Sequence, residues 1–109
     1  MIPEEDAQIA RAYANVIFEL AGQMDATDQV LAELEQFQSV LDGLPLLKRV
    51  LTSPAISHKA KAWLTEQVVA GRVHDFVARF LAFLAASGRM RILGPVIQQY
   101  RKVIDRHVG

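Results

Sequence analysis

The sequence predicts an all-α fold, a compact six-helix bundle. Three observations carry that prediction. Apolar residues recur at helical spacing along nearly the whole chain, β-branched alternation is absent, and Gly and Pro fall at regular breaks. The chain has 109 residues, of which 51% are hydrophobic and 22% charged. That length suits one domain with a core of its own, and that composition argues against disorder. Residues 1–109 are therefore expected to form a single helical-bundle domain.

The punctuation divides the chain into six helices. The first is expected from Glu4 to Met24. Pro3 sits where its missing N–H does no harm, and Glu4, Glu5 and Asp6 complement the positive end of the helix dipole. The second runs from about Thr27 to Leu41, with Asp25 or Thr27 as cap and Asp42-Gly43 as stop. The third is short, Leu44 to Leu51. It ends ahead of Ser53-Pro54, because a residue before proline is pushed out of the helical region. The fourth starts at a Ser57 cap and stops at Gly71. The fifth runs from His74 to Ala86, with Gly88 supplying a left-handed turn. The sixth covers Met90 to His107, with Pro95 in its first turns and some distortion there. Short connections make the bundle compact.

Helices two and six each bury one stripe, but the first and fifth carry too much apolar surface for one core. Helix two has one stripe, Val30, Leu34, Phe37 and Leu41, and helix six has another, Leu93, Val96, Ile97, Tyr100, Val103 and Ile104. Helix one has two. Ala10, Ala14, Ile17 and Ala21 form the first; Ile9, Tyr13, Val16 and Leu20 form the second, about 90° away at about 100° per residue. Helix five repeats the pattern, with Val77, Leu81 and Leu84 on one stripe and Phe76, Phe80 and Phe83 on the other. The rest of its surface is mostly alanine, with Asp75 and Arg79. Two arrangements satisfy the pattern. Both helices are central and buried all round, or the two surplus stripes form an exposed groove of the kind in which a partner's amphipathic helix lies.

Charge is distributed unevenly. Residues 1–43 hold nine acids and one base, a net of −8, whereas residues 44–109 hold eleven bases and three acids, a net of +8. The simpler reading packs oppositely charged helices side by side. The alternative is a nucleic-acid-binding or regulatory protein using the basic half, with Arg89, Arg91, Arg101, Lys102 and Arg106 as contacts. No recognition-helix signature accompanies them. Trp63 and Tyr100 fall within helical patterns and are expected in the core or at its rim.

The signals of catalysis are missing. There is no Gly-rich phosphate loop, no G-x-S-x-G and no H-E-x-x-H. His58, His74 and His107 stand far apart at expected helix ends, so no metal site and no cofactor are expected. Glu33 and Glu35, two apart on a helix, do not face each other. Without cysteine there is no disulfide framework and no thiolate zinc site. The most apolar stretch, Phe76 to Ala86, is too short to span a membrane and carries Arg79. The acidic start resembles neither a secretory signal nor a transit peptide. A soluble intracellular protein is the expectation, and the acidic start without a transit peptide favours a bacterial protein or the mature form of an organellar one.

Four stretches together carry a resemblance. They are Ala10-Arg11-Ala12-Tyr13-Ala14-Asn15-Val16-Ile17-Phe18-Glu19-Leu20-Ala21, Leu51-Thr52-Ser53-Pro54-Ala55-Ile56-Ser57, Ala85-Ala86-Ser87-Gly88-Arg89-Met90 and Ile97-Gln98-Gln99-Tyr100-Arg101-Lys102. In order and spacing they resemble the N-terminal domain of the F-type ATP synthase delta subunit, the family of the oligomycin-sensitivity-conferring protein. That resemblance implies a six-helix bundle and a non-catalytic stator adaptor at the top of the catalytic head. It implies that the N-terminal helix of an alpha subunit lies against helices one and five. By position, Tyr13, Val16 and Phe83 match interface residues of the family; Ile9, Leu20, Phe76 and Phe80 join them on periodicity. Most of helix five's stripe is Phe, bulkier than the family leads one to expect. Members continue into a smaller C-terminal domain that meets the b subunits of the peripheral stalk, so this chain corresponds to the N-terminal part only. The implied location is the cytoplasmic face of the bacterial inner membrane, as a peripheral part of the complex.

Overall fold

The computed structural model describes residues 3–108. Among them are six α-helices and one 3-10 turn, in the order α1 (Glu4–Gln23), α2 (Thr27–Gly43), α3 (Pro45–Thr52), α4 (His58–Val69), α5 (Asp75–Ala86), a 3-10 turn (Met90–Ile92) and α6 (Leu93–Val108). The expected all-α bundle of six helices is present, and the bounds shift by one to three residues.

Three of those shifts have a local cause. Neither Asp25 nor Thr27 caps α2: Ala26 stands at that position, without a side-chain cap. Asp25 instead adopts a left-handed conformation at φ 52°, and the Ala26 N–H donates to the Ala21 carbonyl at 2.8 Å to close the end of α1. Asp tolerates that conformation better than most side chains. Gly43 does not stop α2, which includes it; Pro45 then opens α3 at a position that needs no N–H. The distortion expected near Pro95 takes a definite form. The chain after Gly88 makes a 3-10 turn, and α6 begins at Leu93, which leaves Pro95 in the first turn.

The other signals act where the sequence puts them. Ser57 Oγ accepts from the Ala60 N–H at 3.1 Å and caps α4. Gly71 and Gly88 sit at φ 73° and 70°, turning the chain out of α4 and α5.

Packing follows the inward stripes. α1 lies along α6, and α4 lies along α5; α2 leans on α6. Asp6 pairs with Arg91 at one end, and the Phe18 ring meets Tyr100 and His107 at the other, so α1 and α6 run in the same direction. Ala10, Ala14 and Ala21 are fully buried, and small side chains there permit close approach. The core collects Val30, Leu34, Phe37 and Leu41 from α2, Val77, Leu81 and Leu84 from α5, and Leu93, Val96, Ile97, Tyr100 and Val103 from α6. Tyr100 donates its hydroxyl to the Thr27 carbonyl at 2.8 Å. Burial, with the negative charge of Asp28 adding to it, pushes its phenol up to about 12. Trp63 does not join this core: it stands 60% exposed on α4. No buried side-chain polar atom among the described residues lacks a hydrogen bond.

The two oppositely charged halves are laced together. Asp6 meets Arg91 at 3.0 Å, Arg101 donates to Glu35, and Glu33 meets His74 at 3.1 Å. Each pair joins an acid of the first 43 residues to a base of the remainder.

Candidate functional site: an apolar groove between the first and fifth helices

α1 and α5 do not pack backbone to backbone; their outward stripes hold them apart. The Tyr13 ring stands edge-on to Phe80 and Phe83, with centroids 5.9 and 5.8 Å away. Aromatic pairs in that geometry add stability beyond their area. The Tyr13 hydroxyl accepts from Arg89 Nη1 at 2.9 Å, which fixes the ring from the turn after α5. Tyr13, midway along α1, meets Phe83 near the end of α5, and Leu20 near the end of α1 lines the same groove as Phe76 at the start of α5, so the two helices run in opposite directions. Between them lies an open groove of about 440 Å3, lined by Tyr13, Val16, Ile17, Leu20, Phe76, Arg79, Phe80 and Phe83.

Six of the seven residues singled out by the sequence line this groove: Tyr13, Val16, Leu20, Phe76, Phe80 and Phe83. Ile9 does not. It is half-buried and packs on the core one turn before Tyr13. Because the helices run in opposite directions, that turn faces past Ala86, where α5 has ended. Ile17 is a lining residue that periodicity assigned to the core alone. It is 4% exposed and forms part of the groove floor.

The surplus stripes are exposed rather than buried all round. Val16 is 56% exposed, Leu20 42% and Phe83 48%, whereas Phe76 and Phe80 are half-buried at the base. Contiguous apolar surface of this kind marks an interaction site. A second apolar hollow, lined by Leu44, Pro45, Leu46, Leu47, Val50 and Leu64, was not foreseen; α3 was too short for its stripe to stand out.

The described residues offer no group of three or more His, Cys, Asp or Glu side chains that could hold a metal ion. His74 is tied to Glu33, both by its ring and by its backbone N–H at 2.9 Å, and His107 Nδ1 lies 2.9 Å from the Val103 carbonyl. Among the proposed nucleic-acid contacts, Arg89, Arg91 and Arg101 are bound to Tyr13, Asp6 and Glu35; Lys102 and Arg106 are exposed. No described helix is long and apolar enough to cross a membrane.

The exposed apolar groove gives this helical bundle the form of a binding module. Comparison with known proteins makes this more specific. Residues 9–109 match the family model of the ATP synthase delta (OSCP) subunit, and the chain belongs to that family. Members are non-catalytic subunits of the F-type complex. The sequence is 34% identical over 101 residues to ATP synthase subunit delta of Chloroherpeton thalassium, covering 93% of this chain and 55% of that protein. It is 36% identical over 103 residues to ATP synthase subunit delta of Rhizobium etli, covering 93% and 54%. The chain thus spans about half the length of the curated relatives it matches. The fold is similar to that of a chain in a cryo-EM structure of Polytomella F-ATP synthase focussed on the F1 head and rotor. The TM-score is 0.84 at 21% identity, covering 100% of this chain and 93% of that one.

Proposed function

We propose that this chain is the N-terminal, head-binding part of a stator adaptor. The N-terminal helix of an ATP synthase alpha subunit lies in the groove between α1 and α5. The remainder of the protein meets the b subunits of the peripheral stalk. The complex operates at the bacterial inner membrane, with this subunit peripheral on its cytoplasmic face.

The observation that carries this reading is the groove itself, three of whose apolar side chains are 42% exposed or more in the free chain. The role is mechanical. Rotation of the central stalk applies torque to the catalytic head, so the head must be tied to something that does not turn. An adaptor has to bind tightly and react with nothing. Burial of apolar area is worth about 25 cal/mol per Å2 gross, less the cost of ordering the two partners. A groove already held open by the Tyr13–Phe80–Phe83 cluster keeps that cost down. Engagement of Arg89, Arg91 and Arg101 within the fold leaves only Lys102 and Arg106 of the five proposed contacts for the nucleic-acid alternative.

Titration with a peptide copying the alpha subunit's N-terminal helix tests the proposal. Amide shifts by NMR are expected at Tyr13, Phe76 and Phe83, confined to α1 and α5, with submicromolar affinity. Absence of shifts at high peptide concentration overturns it. Val16→Asp should leave the melting temperature nearly unchanged, because that side chain is 56% exposed in the free chain. It should weaken peptide binding by several kcal/mol, because the carboxylate becomes buried without a partner.

A further inference from the structure

We propose that Arg79 sets the charge preference of the groove: the helix that lies there carries an acidic side chain on the flank facing α5. This rests on the reading that an amphipathic helix occupies the groove.

Arg79 is the one charged residue among those lining it. The other lining side chains are aliphatic or aromatic, and the one hydroxyl, on Tyr13, already accepts from Arg89. Arg79 lies three residues after Phe76 and four before Phe83, so all three share a face of α5. Arg79 lines the groove and is exposed, as suits a long side chain that covers apolar surface with its stem and keeps its charged head in water.

Arg79 differs from the arginines that lace the two halves of the chain together. Arg89, Arg91 and Arg101 each donate to a side chain of the first 43 residues. Among the described residues Arg79 makes no side-chain hydrogen bond and no ion pair, although Asp75 lies one turn earlier on the same helix. A helix seated on Phe76, Phe80 and Phe83 excludes water from beside this guanidinium. An unpaired cation is disfavoured in such surroundings, whereas a carboxylate across the rim accepts two parallel hydrogen bonds from the guanidinium fork. Apolar contact supplies the affinity, and the rim charge selects which apolar helix is admitted.

The experiment uses two synthetic helices, each with Leu, Ile and Ala on one face and Gln on the other. One carries a single Glu at mid-length on a flank; its pair carries Gln there. With its apolar face seated, the helix brings that flank to Arg79 in one of its two directions, which it is free to take. Binding of both is measured to the unmodified chain and to Arg79→Gln, whose exposed site leaves folding intact. The unmodified chain is expected to favour the Glu helix by about threefold or more at low salt, less at high salt. In Arg79→Gln the two helices bind alike, and Arg79→Lys keeps part of the preference. An equal Glu-to-Gln ratio in the unmodified chain and Arg79→Gln overturns the inference and leaves the groove standing. Failure of both helices to bind the unmodified chain removes the groove reading and this inference with it.

Discussion

α1 and α5 each present two apolar stripes, and the two stripes of each helix do opposite things. The inward pair, Ala10, Ala14, Ile17 and Ala21 on α1 with Val77, Leu81 and Leu84 on α5, is at most 4% exposed. Those side chains seat α1 on α6 and α5 on α4. The outward pair meets through the edges of aromatic rings and leaves Val16, Leu20 and Phe83 in water. The chemistry of the stripes differs less than their side-chain size does. Alanine lets helices close on each other; tyrosine and phenylalanine hold them apart. A groove is what results when two helices that are fixed elsewhere face each other across bulky side chains.

Adjacent residues on α5 give the sharpest separation of the two roles. Leu84 is fully buried and Phe83 is 48% exposed. Leu84→Ala should cost about 2–5 kcal/mol of stability, through lost transfer energy and a residual cavity. Phe83→Ala should cost about 1 kcal/mol, chiefly its edge contact with Tyr13, while weakening peptide binding about tenfold or more. Urea unfolding and peptide titration on both variants check the pair. Equal stability losses would show that the outward stripe is packing like the inward one.

The sequence made most of this legible, because the relevant signals are local. Gly71, Gly88, Pro54 and the Ser57 cap mark helix ends through backbone geometry, which acts over a few residues. The two-stripe pattern of α1 and α5 is likewise a property of each helix alone. What stayed hidden depends on how separate helices meet. Ile9 has the right periodicity, yet α5 ends before reaching it. Ile17 faces inward and still touches the groove floor. Glu33 receives the His74 N–H across 41 residues of sequence and so holds the start of α5 against α2; no spacing rule connects them. Arg79 was visible only as a break in an apolar run. Its place in the groove lining emerges once α1 supplies the other wall.

A buried phenol distinguishes the inward side in another way, with a smaller expected effect than the loss of Leu84. Burial, with Asp28 adding to it, pushes the Tyr100 phenol from its ordinary value of 10.0 up to about 12 in the fold. Between those values the unfolded chain releases the proton and the folded chain keeps it, so stability falls as pH rises. The contribution is complete below about pH 10 and is lost through about pH 12, amounting to about 2–3 kcal/mol. Tyr100→Phe should lose about 1 kcal/mol at neutral pH with the bond to the Thr27 carbonyl, and should show a shallower decline above pH 10. Comparing both chains by urea unfolding at pH 9 and pH 11.5 isolates this residue from the lysines and arginines that titrate alongside it.

The smallest effect is expected at Tyr13, the point where the two kinds of packing join. Its ring belongs to the groove, between Phe80 and Phe83, whereas its hydroxyl belongs to the scaffold through Arg89. Tyr13→Phe removes the second and keeps the first. The bond is part-buried, so its loss should cost about 1 kcal/mol or less, and the Arg89 guanidinium can turn toward water. If ring contacts alone keep the groove open, an apolar helix should bind the variant within about threefold of the unmodified chain. A much larger loss of binding, measured by the same titration, would move the hydroxyl from scaffold to site. Arg89 would then be what keeps α1 and α5 at the spacing a third helix requires.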